Sequence, residues 1–424
     1  MKSAKLICIT AMTLLVALAI PVARAAQSQP QKPRRARYRI TDLGTLGGTF
    51  SKAGGISNSG WVEGYSTLPG DSTFHEFLWR KGIMTDLGTL GGANSFSEYR
   101  PNDRGDAGGY SETSTPDPDG EDFCGFGDQV ICLGFLSHDG LLTAQPTLGG
   151  NNDAGFGTNN RGELVGTAEN TTPEPTCEGT GQIFQYKPVV WKKGRVHELP
   201  TFGDDPVGIA YAINEWGRAV GQTGPCGVEA FGSTSRAVLW KKGRAIDLGD
   251  LGGSLNNIAQ DINNQGQVVG LSDLRGDQVF HAFLWSRGVM IDLGVLPGKI
   301  YSNGEAINSE GQVVGASADA SFNGSGWVWE KGVMTDLNTL IPANSPLYIV
   351  NATCINDRGQ IVGSAIEIGT GEEHAFLLTP RDGEDDGESA TTAAVSQTIQ
   401  RPNITLPDNL RKLLERRGRR IMPQ

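Results

Sequence analysis

Three aspartates lie close together in the sequence DPDGED, at Asp117, Asp119 and Asp122. Acidic residues at this spacing supply the first ligands of many calcium-binding loops, so the segment is a candidate metal site. Pro118 interrupts the pattern, however, and no glutamate is placed to act as the distal bidentate ligand. We therefore expect no cofactor, and calcium at this loop stays open as the alternative.

The same region carries carboxylates that could serve as an acid and a base. Glycoside hydrolysis needs only one pair of carboxyl groups at a suitable distance, so an enzyme acting on polysaccharide does not require histidine. The candidates for such a pair are Glu112, Asp117, Glu121 and Glu169.

The histidines give little support for catalysis, although histidine is the most frequent general base. His75, His281 and His374 occupy one slot of a repeated motif, directly before a strand. A residue that recurs by register is expected to be structural. The aspartate of a repeated D-L-G motif follows the same rule, and we expect it to accept a hydrogen bond from a backbone N–H of the next loop.

Four aromatic residues lie outside the repeated motifs, where they can contact a ligand rather than fill a core. They are Phe184, Tyr186, Trp216 and Phe231. Large aromatic side chains anchor many binding surfaces, so these four are the candidate binding residues.

A unit of four short strands recurs seven times and must position all of these residues. One copy is the segment from Ile262 to Gly298, in which Asn-x-x-Gly and Arg-Gly turns separate runs of strand-forming residues. The turn glycine returns every 45 to 57 residues, at Gly60, Gly105, Gly162, Gly217, Gly266, Gly311 and Gly359. Repeats of this length indicate a propeller, a solenoid or an array, and four strands per unit favour the propeller.

The two ends of the repeat region predict a closed ring. The seventh copy stops after its third strand, which begins at His374, and the segment YRITDLG from Tyr38 is an unattached copy of the missing fourth strand. We therefore predict an all-β fold over residues 38–380, a seven-bladed β-propeller of four-stranded blades whose last blade is closed by the N-terminal strand. A parallel β-solenoid is the alternative, although its coils are usually shorter than this unit.

Three motifs of the repeat, H-A-F-L-W, I-N-x-x-G-x-V-V-G and D-L-G-x-L-G-G, together resemble the HAF-repeat family of exported bacterial proteins. The resemblance spans residues 38–378, and the tripeptide itself occurs at His281 and His374, with a near copy at His75. The resemblance implies export and a repeat architecture. It implies no biochemical activity, so the function has to be argued from the residues.

The ends of the chain differ in composition from the repeats. Residues 1–25 combine a basic start, an apolar run and Ala-Arg-Ala, which predicts a secretory signal peptide, with an uncleaved membrane anchor as the alternative. Residues 26–37 form a polar linker. Residues 381–405 form an acidic and polar linker, and residues 406–424 a short basic amphipathic helix that could contact an anionic surface. We expect an extracellular or periplasmic protein.

The cysteines fit an exported chain, in which thiols are oxidised to disulfides. Cys124 and Cys132 share one insert, whereas Cys177 and Cys226 occupy equivalent inserts of adjacent units. This arrangement predicts the disulfides 124–132 and 177–226. Cys354 lies in an otherwise apolar first strand, and we expect it to pack in the core.

Three long inserts break the regularity of the repeat, at residues 112–131, 169–186 and 223–235. They fall between the second and third strands of units two, three and four, which would be neighbouring blades. In an antiparallel blade this loop lies on the same face as the blade-to-blade loop, opposite the two tight turns. Functional residues concentrate on such loops, so this sector is the predicted binding surface.

Two functions fit these features. The favoured one is a monomeric, non-enzymatic binding or interaction scaffold that takes a protein or a glycan on the insert face. The alternative is a polysaccharide hydrolase or lyase, which a deep central pocket with two carboxylates outside the repeat pattern would support. Nucleic acid is a poor partner because phosphate contacts need Lys and Arg, whereas removal of residues 1–25 takes the formal net charge from −11 to −14.

Overall fold

The fold is a seven-bladed β-propeller, which confirms the prediction from the repeats. The computed structural model describes residues 36–178, 180–227 and 233–381, and these ranges contain seven four-stranded antiparallel sheets. Each sheet is one blade. From blade 3 to blade 7, and between blades 7 and 1, the first strands of neighbouring blades contact one another around the axis, so the strands run outward in chain order in blades 1 to 6.

The strand β1 (Tyr38–Gly44) precedes the first blade and belongs to the last one. Blade 1 contains β2 (Ser51–Ile56), β3 (Val62–Thr67), β4 (Phe74–Arg80) and β5 (Ile83–Asp86). Blade 2 contains β6 (Gly91–Phe96), β7 (Gly108–Pro116), β8 (Val130–His138) and β9 (Leu141–Ala144). Blade 3 contains β10 (Asp153–Thr158), β11 (Leu164–Pro173), β12 (Phe184–Lys192) and β13 (Arg195–Glu198), with the 3₁₀ helix η1 (Pro175–Cys177) in its insert.

The remaining blades repeat this pattern. Blade 4 contains β14 (Val207–Ile213), β15 (Ala219–Gly224), β16 (Arg236–Lys241) and β17 (Arg244–Asp247). Blade 5 contains β18 (Ile258–Ile262), β19 (Val268–Asp273), β20 (Phe280–Ser286) and β21 (Val289–Asp292). Blade 6 contains β22 (Tyr301–Ile307), β23 (Val313–Ala318), β24 (Gly324–Glu330) and β25 (Val333–Asp336), followed by η2 (Leu337–Thr339). Blade 7 contains β26 (Leu347–Ile355), β27 (Ile361–Glu367), β28 (Glu373–Pro380) and β1.

Tight turns with positive φ set the length of each strand. Between β20 and β21, Arg287 and Gly288 have φ angles of 53° and 89°. Two consecutive positive angles define a type I′ hairpin turn, whose twist matches that of the paired strands. An equivalent residue–glycine pair with positive φ joins the third and fourth strands of each of blades 1 to 6. The turn glycines of the repeat therefore fix the hairpins.

The second repeated glycine is required for close packing rather than for a turn. A Cβ atom on Gly270 would lie 1.8 Å from the carbonyl oxygen of Ile258 and 3.0 Å from the ring of Phe283. That ring is fully buried in a cluster shared by blades 4 and 5. The absence of a side chain lets the first strand and the third-strand aromatic ring approach each other.

The strand β1 closes the ring at the seam between the chain ends. It pairs antiparallel with β28 along its whole length and buries Tyr38 and Leu43. Across this pair, Nδ1 of His374 lies 2.8 Å from a carboxylate oxygen of Asp42. The seam is therefore closed by strand pairing.

A ring of asparagine side chains joins the blades on the face of the tight turns, hereafter the turn face. Asn263 Oδ1 accepts from the backbone N–H groups of Gln265 and Gln267 at 3.1 and 3.0 Å, which orders its own turn. Its Nδ2 donates to the carbonyl of Asn308 in the next blade at 3.0 Å. The same donation to the next blade is made by Asn102, Asn159, Asn214, Asn308 and Asn356. The repeat selects asparagine because one side chain closes a turn and binds the neighbouring blade.

The repeated Asp and His residues are structural, as predicted. Asp292 Oδ1 accepts from the backbone N–H of Gly294 at 2.7 Å, and Nδ1 of His281 lies 2.9 and 3.0 Å from the two carboxylate oxygens. Equivalent backbone hydrogen bonds are accepted by Asp42, Asp86, Asp247 and Asp336.

The predicted signal peptide, most of the N-terminal linker and the C-terminal segments lie outside the described residues, and they stay predictions. Within the described ranges, no helix is long and apolar enough to cross a membrane.

Candidate functional site

A cavity of about 740 Å³ lies on the axis of the propeller, a size typical of small-molecule sites. Its walls come from the first strands of all seven blades, because every second residue of a strand points to the same side. In β22, Asn303 and Glu305 face the cavity and are partly exposed, whereas Ser302 and Gly304 are buried within the blade. The site is thus built from the variable positions of the innermost strands.

An aromatic wall forms the side of the cavity that belongs to blades 2 to 4. The ring centroids of Phe96 and Tyr110 are 5.5 Å apart, those of Tyr110 and Phe156 are 6.1 Å apart, and those of Phe156 and Tyr211 are 5.5 Å apart. Tyr99 packs against both Phe156 and Tyr211, at 5.2 and 5.8 Å. Four of these five rings are partly exposed, so the wall presents apolar ring surface to the cavity.

A polar wall faces it, contributed mainly by blades 6, 7 and 1. Lys52 Nζ donates to Glu98 Oε1 at 2.9 Å, and Asn303 Nδ2 donates to Glu305 Oε1 at 2.6 Å. Asn351 Oδ1 is buried and has no hydrogen-bond partner among the described residues. The wall therefore combines a paired charge with amide groups.

The environment shifts the titration of two groups on the polar wall. Burial raises the pKa of Glu305 and so favours its neutral form, although nearby Lys52 opposes this effect. Burial alone would lower the pKa of Lys52, but Glu98, Tyr65 and Glu305 raise it above its ordinary value. Lys52 is thus held as a cation by the carboxylate with which it pairs.

An arginine crosses the cavity near the turn face. Arg100 of blade 2 donates through Nη2 to the Asp261 carboxylate of blade 5 at 3.2 Å and to the Ile355 carbonyl of blade 7 at 3.0 Å. The cavity lining continues past this bridge to exposed residues of the turn face, Asn160, Asn264 and Asp357. The inserts lie on the opposite face of the propeller.

The inserts of blades 2 to 4 form part of the mouth on that face, hereafter the insert face. Phe123 and Cys124 from blade 2 and Gln182 and Tyr186 from blade 3 line this end of the cavity. Glu121 accepts a hydrogen bond from the backbone N–H of Ile183, which ties the first insert to the second.

Both predicted disulfides are present in these inserts. Cys124 pairs with Cys132, and Cys177 pairs with Cys226, which ties the second insert to the third. Cys354 is free and buried, as expected. Two disulfides indicate an oxidising compartment outside the cytosol.

The four aromatic residues singled out in the sequence do not share one surface. Tyr186 lines the mouth but is 2% exposed, and its hydroxyl accepts from the Gly227 N–H at 3.0 Å. Phe184 is partly buried at the start of β12. Trp216 is 68% exposed in the Asn-x-x-Gly turn of blade 4, on the turn face. Phe231 lies outside the described residues.

The three aspartates order the first insert. Asp117 Oδ1 accepts from the backbone N–H of Asp119 at 2.8 Å, and Asp122 Oδ1 accepts from that of Gly127 at 3.0 Å. Asp119 Oδ2 accepts from Asn151 Nδ2 at 2.8 Å. Within the described ranges, no group of three or more His, Cys, Asp or Glu side chains is arranged to hold a metal ion. Calcium binding stays a prediction.

One carboxylate considered for catalysis belongs to a recurring pair inside the blades. Glu112 accepts from Asn94 Nδ2 at 2.7 Å, and Asp273 accepts in the same way from Asn256 at 3.0 Å. Burial raises the pKa of Glu112 to about 7 and that of Asp273 to about 6, although the asparagine amides oppose the shift. Neither side chain lines the cavity.

The other three carboxylates surround a single amide in blade 3. Asn152 Nδ2 lies 2.9 Å from Asp117, 3.4 Å from Glu121 and 3.0 Å from Glu169. Burial, followed by the charge of Glu121, raises the pKa of Glu169 to about 9. These buried groups connect the inserts to the blade, and none of them lines the cavity.

The sequence interpretation missed the residues of the cavity itself. Lys52 and Glu305 are each the one charged residue of a first strand, and Glu98 follows the end of β6 by two residues. A charge in a strand predicted to surround the axis is the signal that could have identified them.

No protein-family model and no curated protein matches the chain. Among solved structures, it is similar to a puromycin hydrolase mutant (15% identity, 84% of this chain and 57% of that chain, TM-score 0.49). It is also similar to Pyrococcus horikoshii acylaminoacyl peptidase (14% identity, 73% of this chain and 49% of that chain, TM-score 0.43). A third similar structure is an Aleuria aurantia lectin mutant in complex with Fucα1-6GlcNAc (11% identity, 71% of this chain and 100% of that chain, TM-score 0.38). The chain thus spans about half the length of the first two, and similarities this distant leave the function to be argued from the site.

Proposed function

We propose that this protein is an exported, non-enzymatic binding protein whose ligand enters the central cavity from the insert face. The observation that carries the proposal is the cavity of about 740 Å³, which is lined by partly exposed aromatic and polar side chains. Apolar ring surface and polar groups facing one enclosed space are the features of ligand pockets. Export is the predicted consequence of residues 1–25, and the two disulfides support it.

The mouth of the cavity supports this proposal because its inserts are cross-linked. The disulfide from Cys177 to Cys226 joins the inserts of blades 3 and 4, and the Glu121 hydrogen bond joins those of blades 2 and 3. A site ordered before binding loses less conformational entropy when the ligand arrives. A rigid mouth is therefore suited to selective capture of a protein segment or a glycan.

The pairing of the cavity charges favours binding over catalysis. Lys52 is bound to Glu98, and Arg100 is bound to Asp261, in the absence of any ligand. A general acid or base has to exchange a proton with the substrate, which a carboxylate already committed to a cation does less readily.

Polysaccharide hydrolysis stays the second candidate because the cavity does contain carboxylates outside the repeat pattern. Glu305, with its raised pKa, would be the general acid, and Glu98 would be its partner. Release of reducing ends from a polysaccharide panel, abolished by Glu305→Gln, would establish this activity. Binding without product would exclude it for the tested substrates.

A cavity-filling variant tests the proposed function. The mature protein, residues 26–424, is screened on glycan and peptide arrays with and without calcium, and each hit is measured by calorimetry. Gln260 lines the cavity, so Gln260→Trp should weaken binding at least tenfold. Gln145→Trp, outside the cavity, is the matched control and should bind as the wild type does. Equal binding by Gln260→Trp, with an unchanged melting temperature, would overturn the proposal.

A further inference from the structure

We infer that the ligand of the central cavity is a neutral carbohydrate chain, with sugar faces packed on the aromatic wall and hydroxyl groups bound to the polar wall. This inference rests on the proposed function and adds the chemical class of the ligand. Four features of the cavity carry it.

The first feature is the pairing of the cations. The two cations that line the cavity are already paired, Lys52 with Glu98 at 2.9 Å and Arg100 with Asp261 at 3.2 Å. An anionic ligand would have to separate one of these pairs or remain unpaired in a partly desolvated site, and both cost free energy. Glu305 adds a carboxyl group and no positive charge to the polar wall. A neutral polar ligand avoids these costs.

The second feature is a pair of buried amide oxygens without partners among the described residues. Asn351 Oδ1 and Gln182 Oε1 are buried, line the cavity and accept no hydrogen bond from the described residues. A buried oxygen that accepts no hydrogen bond lowers the stability of the protein until a donor reaches it. Hydroxyl groups suit these two side chains, since a hydroxyl group can donate to an amide oxygen and accept from an amide nitrogen.

The third feature is the geometry of the aromatic wall. A flat heterocycle sandwiched between two rings needs them about 7 Å apart, twice a van der Waals contact of about 3.5 Å. Tyr99 and Tyr211 are nearly parallel, with an interplanar angle of 10°, but their centroids are only 5.8 Å apart. These two rings therefore leave no slot for a flat heterocycle between them. A sugar packs its C–H face on one ring only, so it does not need such a slot.

The fourth feature is an aromatic row that leads to the cavity from the insert face. Tyr301 stacks between Phe280 and Phe322, with centroids 5.0 and 4.9 Å apart and interplanar angles of 28° and 7°. Phe280 lines the cavity, whereas Phe322 is 38% exposed in the loop between β23 and β24. The row belongs to blades 5 and 6, beyond the inserts. It extends the stacking surface outside the cavity, which suits an extended chain rather than a single sugar.

The test compares probes that differ in charge and in polymer class. Calorimetry is performed on the mature protein with neutral oligosaccharides of two to six glucose, mannose, galactose or xylose units. Uronic-acid oligosaccharides supply the anionic counterparts, chitosan oligosaccharides the cationic ones, and a peptide array the other polymer class. We expect a neutral oligosaccharide to bind at least tenfold more tightly than its charged counterparts, with affinity that increases with chain length.

Variants of the two walls locate the binding. Phe156→Leu and Asn351→Leu should each weaken the neutral oligosaccharide about tenfold, whereas Phe156→Tyr, which keeps the ring, should stay within about threefold of the wild type. Trp216→Leu on the turn face is the control and should have no effect. Melting temperatures measured in parallel exclude loss of folding as the cause.

The outcomes separate the inference from the proposed function. A charged oligosaccharide or a peptide that binds best, and loses its affinity in Gln260→Trp, would overturn the inference and leave the proposed function standing. A neutral oligosaccharide whose affinity is unchanged in Gln260→Trp and Phe156→Leu would overturn both. Failure of every probe to bind would also overturn both.

Discussion

The two faces of the propeller are built by opposite rules. On the turn face, one asparagine in six of the seven blades binds the next blade, and the ring runs across the seam through the hydrogen bond from Asn356 to Ser57 at 2.9 Å. On the insert face, blades 2 to 4 carry long inserts with two disulfides and several buried carboxylates. Repetition in this chain thus serves closure of the ring, whereas departures from the repeat build the mouth.

Mutations on the two faces should therefore have different effects. Changes on the turn face should lower the stability of the ring and leave ligand affinity unchanged. Changes on the insert face should affect both, because that face shapes the entrance to the cavity.

Removal of the disulfide between blades 3 and 4 should have the largest effect. Its cysteines are 49 residues apart, so the loop that it closes accounts for about 4 kcal/mol of unfolding free energy. The double variant Cys177→Ser, Cys226→Ser should lose stability of that order in chemical denaturation and should also bind ligand more weakly.

The second disulfide supplies the matched control. Cys124 and Cys132 are only 8 residues apart, and their removal should cost about 2.5 kcal/mol. A loss of stability in the Cys177 variant with full ligand affinity would contradict the assignment of the mouth to the inserts.

The next effect concerns the asparagine ring. Asn263→Ala leaves the N–H groups of Gln265 and Gln267 and the carbonyl of Asn308 without their partner, and should cost about 2–3 kcal/mol. Asn263→Ser, which copies the natural Ser57, should cost about half as much. Thermal unfolding measures the loss, and calorimetry should show unchanged ligand affinity. Weaker ligand binding by Asn263→Ala would contradict the claim that turn-face changes leave ligand affinity unchanged.

A pH-dependent effect is expected at Glu169. Its pKa is raised to about 9 in the folded protein, against an ordinary value of 4.5, so the folded state binds the proton more tightly. This contribution to stability is fully present below pH 4.5 and is lost as the pH rises through about 9. Glu169→Gln removes the charge, so at pH 8 the variant should be more stable than the wild type by about 1–3 kcal/mol.

The advantage of Glu169→Gln should vanish near pH 4.5, as measured by urea unfolding across the pH range. Glu112→Gln in blade 2 is the control. Glu112 accepts a hydrogen bond from Asn94 as Glu169 does from Asn152, and its pKa is raised only to about 7. The stability that Glu112→Gln gains over the wild type should reach its full value by about pH 7. A Glu169→Gln variant that is less stable than the wild type at pH 8 would show that this carboxylate is ionised and satisfied in the fold.

The smallest effect is expected at the seam. The hydrogen bond to Asp42 raises the pKa of His374 above 6.5, so the stability that this pair provides is present below pH 6.5 and is lost as the pH rises through the raised value. Because Asp42 is 40% exposed, His374→Ala should cost under about 1 kcal/mol at pH 6 and less at pH 9. His75→Ala, within blade 1, is the control. A much larger loss for His374→Ala would mean that the pair, and not the strand pairing, holds the ring closed.

The fold could be predicted because the period of the repeat can be read from a single sequence. The glycines at Gly266 and Gly288 mark hairpins of fixed length, and the unattached strand from Tyr38 predicts the closure found in blade 7. Both disulfides followed from the positions of the cysteines, one pair within a single insert and the other in equivalent inserts of neighbouring blades. These features are local or repeated, so one sequence is enough to reveal them. Membership of the HAF-repeat family stays a prediction.

The cavity could not be predicted in the same way, because it is formed by residues far apart in the chain. Lys52 and Glu98 come from neighbouring blades, but Arg100 and Asp261 come from blades that are not adjacent. Which of two alternating positions in a first strand faces the axis depends on its register. Tyr186 illustrates the limit, since a residue outside the repeat pattern lies mainly in the core of an insert.

The most direct test of the central claim is a crystal structure of the mature protein with the oligosaccharide that binds best. We predict a sugar ring packed on Phe156 or Tyr211, with a hydroxyl group within about 3.2 Å of Asn351 Oδ1. Electron density for the ligand on the turn face at Trp216, or on the outer rim, with the cavity empty would contradict the account.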